Sequence, residues 1–428
     1  MLKWSFSASI GLIVALLISA TASGQTEIMI LASDGEEDDR FGFSTSVHLD
    51  TAIVGAISAD VFAGSAYIFS RSQGGSNGWS EVTKLTASES DPNFGNAVSV
   101  HGETAVAGAI LGDAVYIFGR DQGGVDQWGQ VKRITSSDGV NGDRFGGVVS
   151  VHGDTLIVGA SWDDDAGSQS GSAYVFSRNQ GGPDNWGEVT KLTASDAGTM
   201  DHFGGAVSVH GDTIIVGAWL ESSAGLDSGS AYVFERNQGG ADNWGEVVKL
   251  TASDAAVESL FGFSVSVHGD TAIVGARNAE TPTVRSGAAY IFSRNQGGVG
   301  SWGEVTKLVA SDAAVAEAFG NAVSLHGDTA IIGTFPFNGD LGSAYVFSRN
   351  QGGVDNWGEV TKLIASDSEA PDDFGNSVAV HDDTVIVGAP RDTEAGVRTG
   401  SAYLFRAITL FVDGFESGDT SNWSTTQP

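Results

Sequence analysis

The stretch FGFSVSVHGDTAIVGA, residues 261–276, decides how this chain is built. From Phe261 to Val267, large residues (Phe261, Phe263, Val265, Val267) alternate with small ones (Gly262, Ser264, Ser266). A period of two marks a β-strand whose two faces meet different surroundings. His268-Gly269-Asp270 reads as a tight turn. Thr271 to Ala276 is a short, almost continuous apolar strand, as expected where both faces are covered. A loop follows, Arg277 to Ser286, then a third strand, Ala288 to Phe292. A Gly-rich connection leads to a fourth, Trp302 to Leu308.

The same run opens seven times, at Phe41, Phe94, Phe145, Phe203, Phe261, Phe319 and Phe374. A period of this size is one supersecondary unit repeated around or along an axis. Four antiparallel strands repeated seven times predict an all-β, seven-bladed propeller. The chain ends support closure. The seventh copy stops at Phe405-Arg406 without a WGEVTKL strand, whereas Glu27 to Leu31 aligns with that strand. An N-terminal strand that completes the last blade removes the open edges of a linear stack.

The Phe-Gly opening, the later VGA and the GSAYVF strand resemble FG-GAP repeats, the blades of the integrin alpha-chain propeller and its bacterial relatives. The resemblance covers about Glu27 to Arg406. It implies an extracellular adhesion or ligand-binding module, sometimes appended to an enzyme. Integrin-type blades often carry a calcium loop between strands one and two. Here that place holds only HGDT or a near variant such as His381-Asp382-Asp383-Thr384, too short to supply the six or more oxygens calcium takes. Calcium is therefore compatible with longer acidic loops but not with these turns, and no cofactor is required.

Residues 1–24 read as a cleaved signal peptide: Lys3, an apolar run from Ile10 to Ile18, and small residues Ala22-Ser23-Gly24. Residues 25–406 form the propeller, and 407–428 a tail whose DGFESGDTSNW resembles an ending of bacterial secreted proteins, with sorting or attachment as its implied role. A secreted or surface-exposed monomer follows, with no transmembrane segment in the mature chain. The net charge of -32 excludes nucleic acid as a partner, because phosphate binding needs a basic footprint. There is no Cys, so stability rests on a large core.

Comparison of the copies separates scaffold from candidate site. The loops before each Phe-Gly and between strands two and three vary, lie on one face, and carry -24 of the net charge. Variable loops on a rigid scaffold are where binding resides. Candidate ligand residues there are Asp163, Asp164, Asp165, Asp372 and Asp373, with Trp162 and Trp219 as aromatic contacts. Asp163 and Asp165 are the candidate metal ligands, since with Gly167 they resemble half a calcium loop. The Asp of each ASD (Asp34, Asp138, Asp196, Asp254, Asp312, Asp367) reads as a turn cap. Seven His recur at one turn: His48, His101, His152, His210, His268, His326 and His381. Neighbouring blades are expected to hold them too far apart for one ion, so they read as turn supports that could make that face pH-sensitive. The recurrent Trp79, Trp128, Trp186, Trp244, Trp302 and Trp357 read as packing between blades. No nucleophile, zinc or phosphate-loop motif occurs.

The function expected is a non-enzymatic binding or adhesion propeller that presents an acidic loop face to an extracellular protein, a glycan or a cation. The alternatives are a polysaccharide lyase or hydrolase using carboxylates near the axis, and a purely structural surface protein.

Overall fold

The computed structural model describes residues 18–20, 26–71, 78–238, 240–280, 284–337, 339 and 341–406. The C-terminal tail and most of the N-terminal segment lie outside them. Seven antiparallel sheets are arranged as blades. In blade 5 the strands are Phe261–His268, Thr271–Ala276, Ala288–Arg294 and Trp302–Leu308, hydrogen-bonded in that order. The first strand of every blade lines the axis. The second, wholly buried in blades 1 to 5 and 7, lies behind it. The outer strand is half exposed.

Closure occurs where the sequence places it. Thr26–Ile30 pairs antiparallel with Ser401–Arg406, with Ile28 opposite Leu404 and Met29 opposite Tyr403. A short strand, Ile18–Ala20, adds to its outer edge. Among the described residues no helix is long and apolar enough to cross a membrane.

Seven apolar clusters sit between neighbouring blades. One joins Ile28 and Leu404 of blade 7 to Phe41 and Trp79 of blade 1. Each Phe of the Phe-Gly pair is fully buried and meets the Tyr and Phe of its own third strand edge-on, as Phe261 meets Tyr290 and Phe292 at 5.4 and 5.9 Å. The recurrent Trp side chains are buried in the inter-blade clusters, apart from the half-buried Trp128. Five of them also stack under an Arg, as Trp244 does under Arg236 at 4.8 Å.

The VGA glycine is required by close approach of the next blade. A Cβ at Gly55 would lie 2.0 Å from the Gly95 carbonyl oxygen, and the other six copies face the same clash at 2.0–2.2 Å. Strand-one hydroxyls then link the inner strands. Ser46 Oγ accepts from Val100 N, and the pattern runs through six of the seven junctions, ending where Ala379 replaces the Ser. On the outside, Glu81 accepts from Ser33 N and Oγ. Equivalent Glu–Ser pairs recur, including Glu27 with Ser366 across the closure.

Candidate ligand-binding face

Part of the acidity on the Phe-Gly face is neutralised by cations of the outer strands. The ASD aspartates of blades 1 and 3 to 6 each bridge a Tyr and a Lys. Asp254 accepts from Tyr290 Oη at 2.7 Å and from Lys307 Nζ at 2.7 Å. The Asp–Tyr–cation trio recurs in blades 1 to 6, with Arg133 as the cation of blade 2. Burial opposes ionisation of these aspartates, but the Lys and Tyr hydrogen bonds outweigh it and hold their pKa below the usual value. In blade 7 the cation's place falls to Met29, and Tyr403 donates to Asp367 and to Asp392.

The acidic residues expected as ligands are placed differently from an open binding loop. Asp163 is 2% exposed. It accepts from Tyr174 Oη and Asp165 N and pairs with Lys191 at 2.9 Å. Asp138, Asp163 and Asp165 converge as a metal-sized group, but Lys191 pairs with all three, so an ammonium already sits among them. Asp164 is exposed and accepts from Gln169 N. Asp372 and Asp373 are buried, at 5% and 4% exposure, not peripheral. Asp372 accepts from Glu369 N, and burial with Asp392 nearby pushes it up to about 6. Asp373 pairs with Arg391 at 3.2 Å.

The expected aromatics come together. Arg144 stacks on Trp162 at 3.3 Å, and His202 bridges Trp162 and Trp219 at 6.5 and 5.0 Å. Trp219 meets Phe263 at 5.9 Å, and Arg277 lies over Phe263 at 3.9 Å and Phe337 at 5.4 Å. Phe335 completes the arc against Phe337. It runs from blade 3 to blade 6 around the axial mouth. Arg144 and Arg277 have no ion-pair partner among the described residues, and the buried Nε of Arg277 has no hydrogen-bond acceptor. Burial pulls both guanidinium pKa values down.

A cavity of about 530 Å³ opens at this mouth, lined by first-strand residues of all seven blades together with Ile110, Arg277 and Phe335. Its size falls in the range of small-ligand sites. Among the described residues Arg277 is the charged group in its lining. The signal for this site was present in the sequence. The residue after each Phe-Gly (Phe43, Asn96, Gly147, Gly205, Phe263, Asn321, Asn376) breaks the repeat, as does the one after each VGA (Ile57, Ile110, Ser161, Trp219, Arg277, with Phe335 and Pro390 in the same places).

The opposite end corrects the expectation for the histidines. Their rings touch in a closed circle, with neighbouring centroids 4.2–4.5 Å apart. The inner strands converge more tightly than a turn-support reading assumes. At that spacing the centres lie about 5 Å from the axis, so an ion there, needing about 2.1 Å, does not reach them, although His326, His381 and Asp382 bring ligand atoms within 4.8 Å of one another. Each Nδ1 accepts from a backbone N–H of the next blade's turn at 3.1–3.3 Å, so the His are stitches between blades. An accepting Nδ1 puts the neutral ring's proton on Nε2. Burial, with neighbouring His adding to it, lowers all seven, His48 and His152 to about 4. The turn acids around them are paired with Arg, as Asp154 is with Arg178 at 2.6 Å.

An FG-GAP repeat family model matches residues 25–69, 79–125, 128–176, 186–234, 244–292, 302–347 and 357–405. Among solved structures the chain is similar to Sqt1 from Chaetomium thermophilum, at 17% identity and a TM-score of 0.48, over 83% of this chain and 81% of that one. A search of curated proteins found no match.

Proposed function

The chain belongs to the FG-GAP repeat family, and on that premise we propose that it is a binding protein, exported and displayed outside the cell, that captures an extracellular partner on its Phe-Gly face. One observation carries this reading. Among the positions that vary from blade to blade, those around the axial mouth assemble the aromatic arc and the cavity. Arg277, half-buried against Phe263 and Phe337 without an ion-pair partner among the described residues, is a cation suited to an anionic group of a partner. Large, rigid aromatics and Arg are the residues that anchor binding interfaces. The acidic loops form the periphery of this face, with the cationic and aromatic groups at its centre. Export is supported by Lys3 and the apolar run Ile10 to Ile18.

The test is a thermal-shift and direct-binding screen of the purified propeller against extracellular oligosaccharides and peptides, repeated with Phe263→Ala and Trp219→Ala. A partner bound by the native protein and weakened at least tenfold by both variants is the expected result. Partners whose affinity both variants leave unchanged would place binding elsewhere and overturn the reading.

A further inference from the structure

The hydrogen-bonding capacity left free in the axial cavity identifies a ligand chemistry, granted the binding reading above. The side-chain donors around the mouth are partly spent, with one N–H of each Asn amide engaged. Asn96 Nδ2 donates to Gly147 O at 2.7 Å, Asn376 Nδ2 to Phe43 O at 2.9 Å and Asn321 Nδ2 to Asn376 O at 3.3 Å. The hydroxyls of Ser44, Ser264 and Ser377 donate to the carbonyls of Gly95, Gly320 and Gly42. What remains is the Asn side-chain oxygens, the second N–H of each Asn amide and one cation. Asn96 Oδ1 and Asn376 Oδ1 accept from no described residue, while Asn321 Oδ1 accepts from Arg277 Nη1 at 3.4 Å.

Arg277 lines the cavity; its Nη2 bonds no described residue, whereas its unpaired Nε is enclosed by protein. A guanidinium N–H beside the cavity makes a charge-assisted hydrogen bond to a carboxylate oxygen. Flat apolar faces complete the lining at Phe43, Phe263 and Phe335. A complementary ligand brings hydroxyl donors for the Asn oxygens, a planar anion for Arg277 and a C–H face for the rings. A carboxylate side chain of a peptide supplies the anion but not the hydroxyls. A neutral sugar supplies the hydroxyls but not the anion. We propose that the axial cavity binds a hexuronic-acid residue of an acidic polysaccharide, with its carboxylate on Arg277 and its hydroxyls on Asn96 and Asn376.

The experiment is calorimetric titration of the full propeller with trigalacturonate, with neutral galactotriose of the same length, with a sulfated galacto-oligosaccharide and with a Glu-rich peptide. The native protein is expected to prefer trigalacturonate at least tenfold over the other three. Arg277→Gln should remove that preference while leaving residual binding, and Arg277→Lys should restore part of it. Both variants are checked by thermal melt, and the Lys variant keeps the test decisive if the Gln variant folds poorly. Equal affinity for the acidic and neutral sugars, indifferent to Arg277, overturns the uronate assignment while leaving the cavity as a binding site. Preference for the sulfated sugar or the peptide overturns it in favour of that chemistry. Loss of all binding in Phe263→Ala with no role for Arg277 separates the two readings in the same way.

Discussion

Acidification should unstitch the end of the propeller that carries the histidines. Protonating an imidazole places a hydrogen on Nδ1, where each ring here meets a backbone N–H of the next blade. His48 and His152 have folded-state values of about 4 against 6.5 ordinarily. A basic group whose folded value is depressed gives full stability above 6.5, and loses it as pH falls toward 4. Between pH 7 and pH 4.5 each of these two costs about 2 kcal/mol. The other five, also lowered, act in the same direction. Asp372 opposes them. Its value of about 6 lies above the usual carboxylate, so acidification returns about 2 kcal/mol there. The buried Asp39, Asp143, Asp201 and Asp373, also raised, add to that return.

Comparison with His48→Asn and His152→Asn removes the acid contributions from the result. Asn offers an oxygen near the place of Nδ1 and does not titrate. Urea unfolding of native and double-variant protein at pH 7 and pH 4.5 should show the variant losing about 4 kcal/mol less on acidification. Asp382, whose carboxylate lies 3.5–3.6 Å from Nδ1 of His381 and His326, shields that sector. A substitution at His326 should therefore matter less than one at His152. An identical pH dependence in native and variant proteins would refute the reasoning.

Met29→Lys should supply the cation that blade 7 lacks beside Asp367 and Asp392, raising stability by about 1 kcal/mol, as urea unfolding would show. Gly275→Ala should cost about 3 kcal/mol or more, because its Cβ would lie 2.2 Å from the Gly320 carbonyl and 2.3 Å from Ser264 Oγ; a soluble variant with native denaturant midpoint would contradict that. Ile28→Ala should cost about 2–5 kcal/mol, since the side chain is buried in the closing cluster, and deletion of Glu27 to Leu31 should expose an edge and drive self-association visible by light scattering.

The blade was legible because its strands carry a strict period: Phe261 to Val267 reads directly as the alternating inner strand. Closure was legible because Glu27 to Leu31 repeats the pattern missing after Arg406. The site was harder to read. Asp163 and Asp372 looked like loop acids, and nothing local reveals that Lys191 reaches the first or that the second is buried. Such pairings span separate strands of the blade and depend on its twist. The His spacing depends on how closely seven inner strands converge, which no single copy encodes. The axial mouth could have been found by asking which positions break the repeat, since Phe263, Arg277 and Trp219 all stand in columns that do.

The Thr26–Ile30 strand has a consequence for how the molecule comes into being. It precedes every other strand of the four-stranded blades, yet its partner Ser401–Arg406 follows all of them. Six junctions between blades can form in order behind the growing chain, but the seventh waits for the whole. Truncation anywhere before Ser401 thus yields an open crescent with two unpaired rims rather than a smaller disk. Once the circle is shut, the position of the chain ends ceases to matter energetically. The gap between third and outer strand could sit in any blade, so permuted chains that begin at another blade's WGEVTKL strand should reach the same disk.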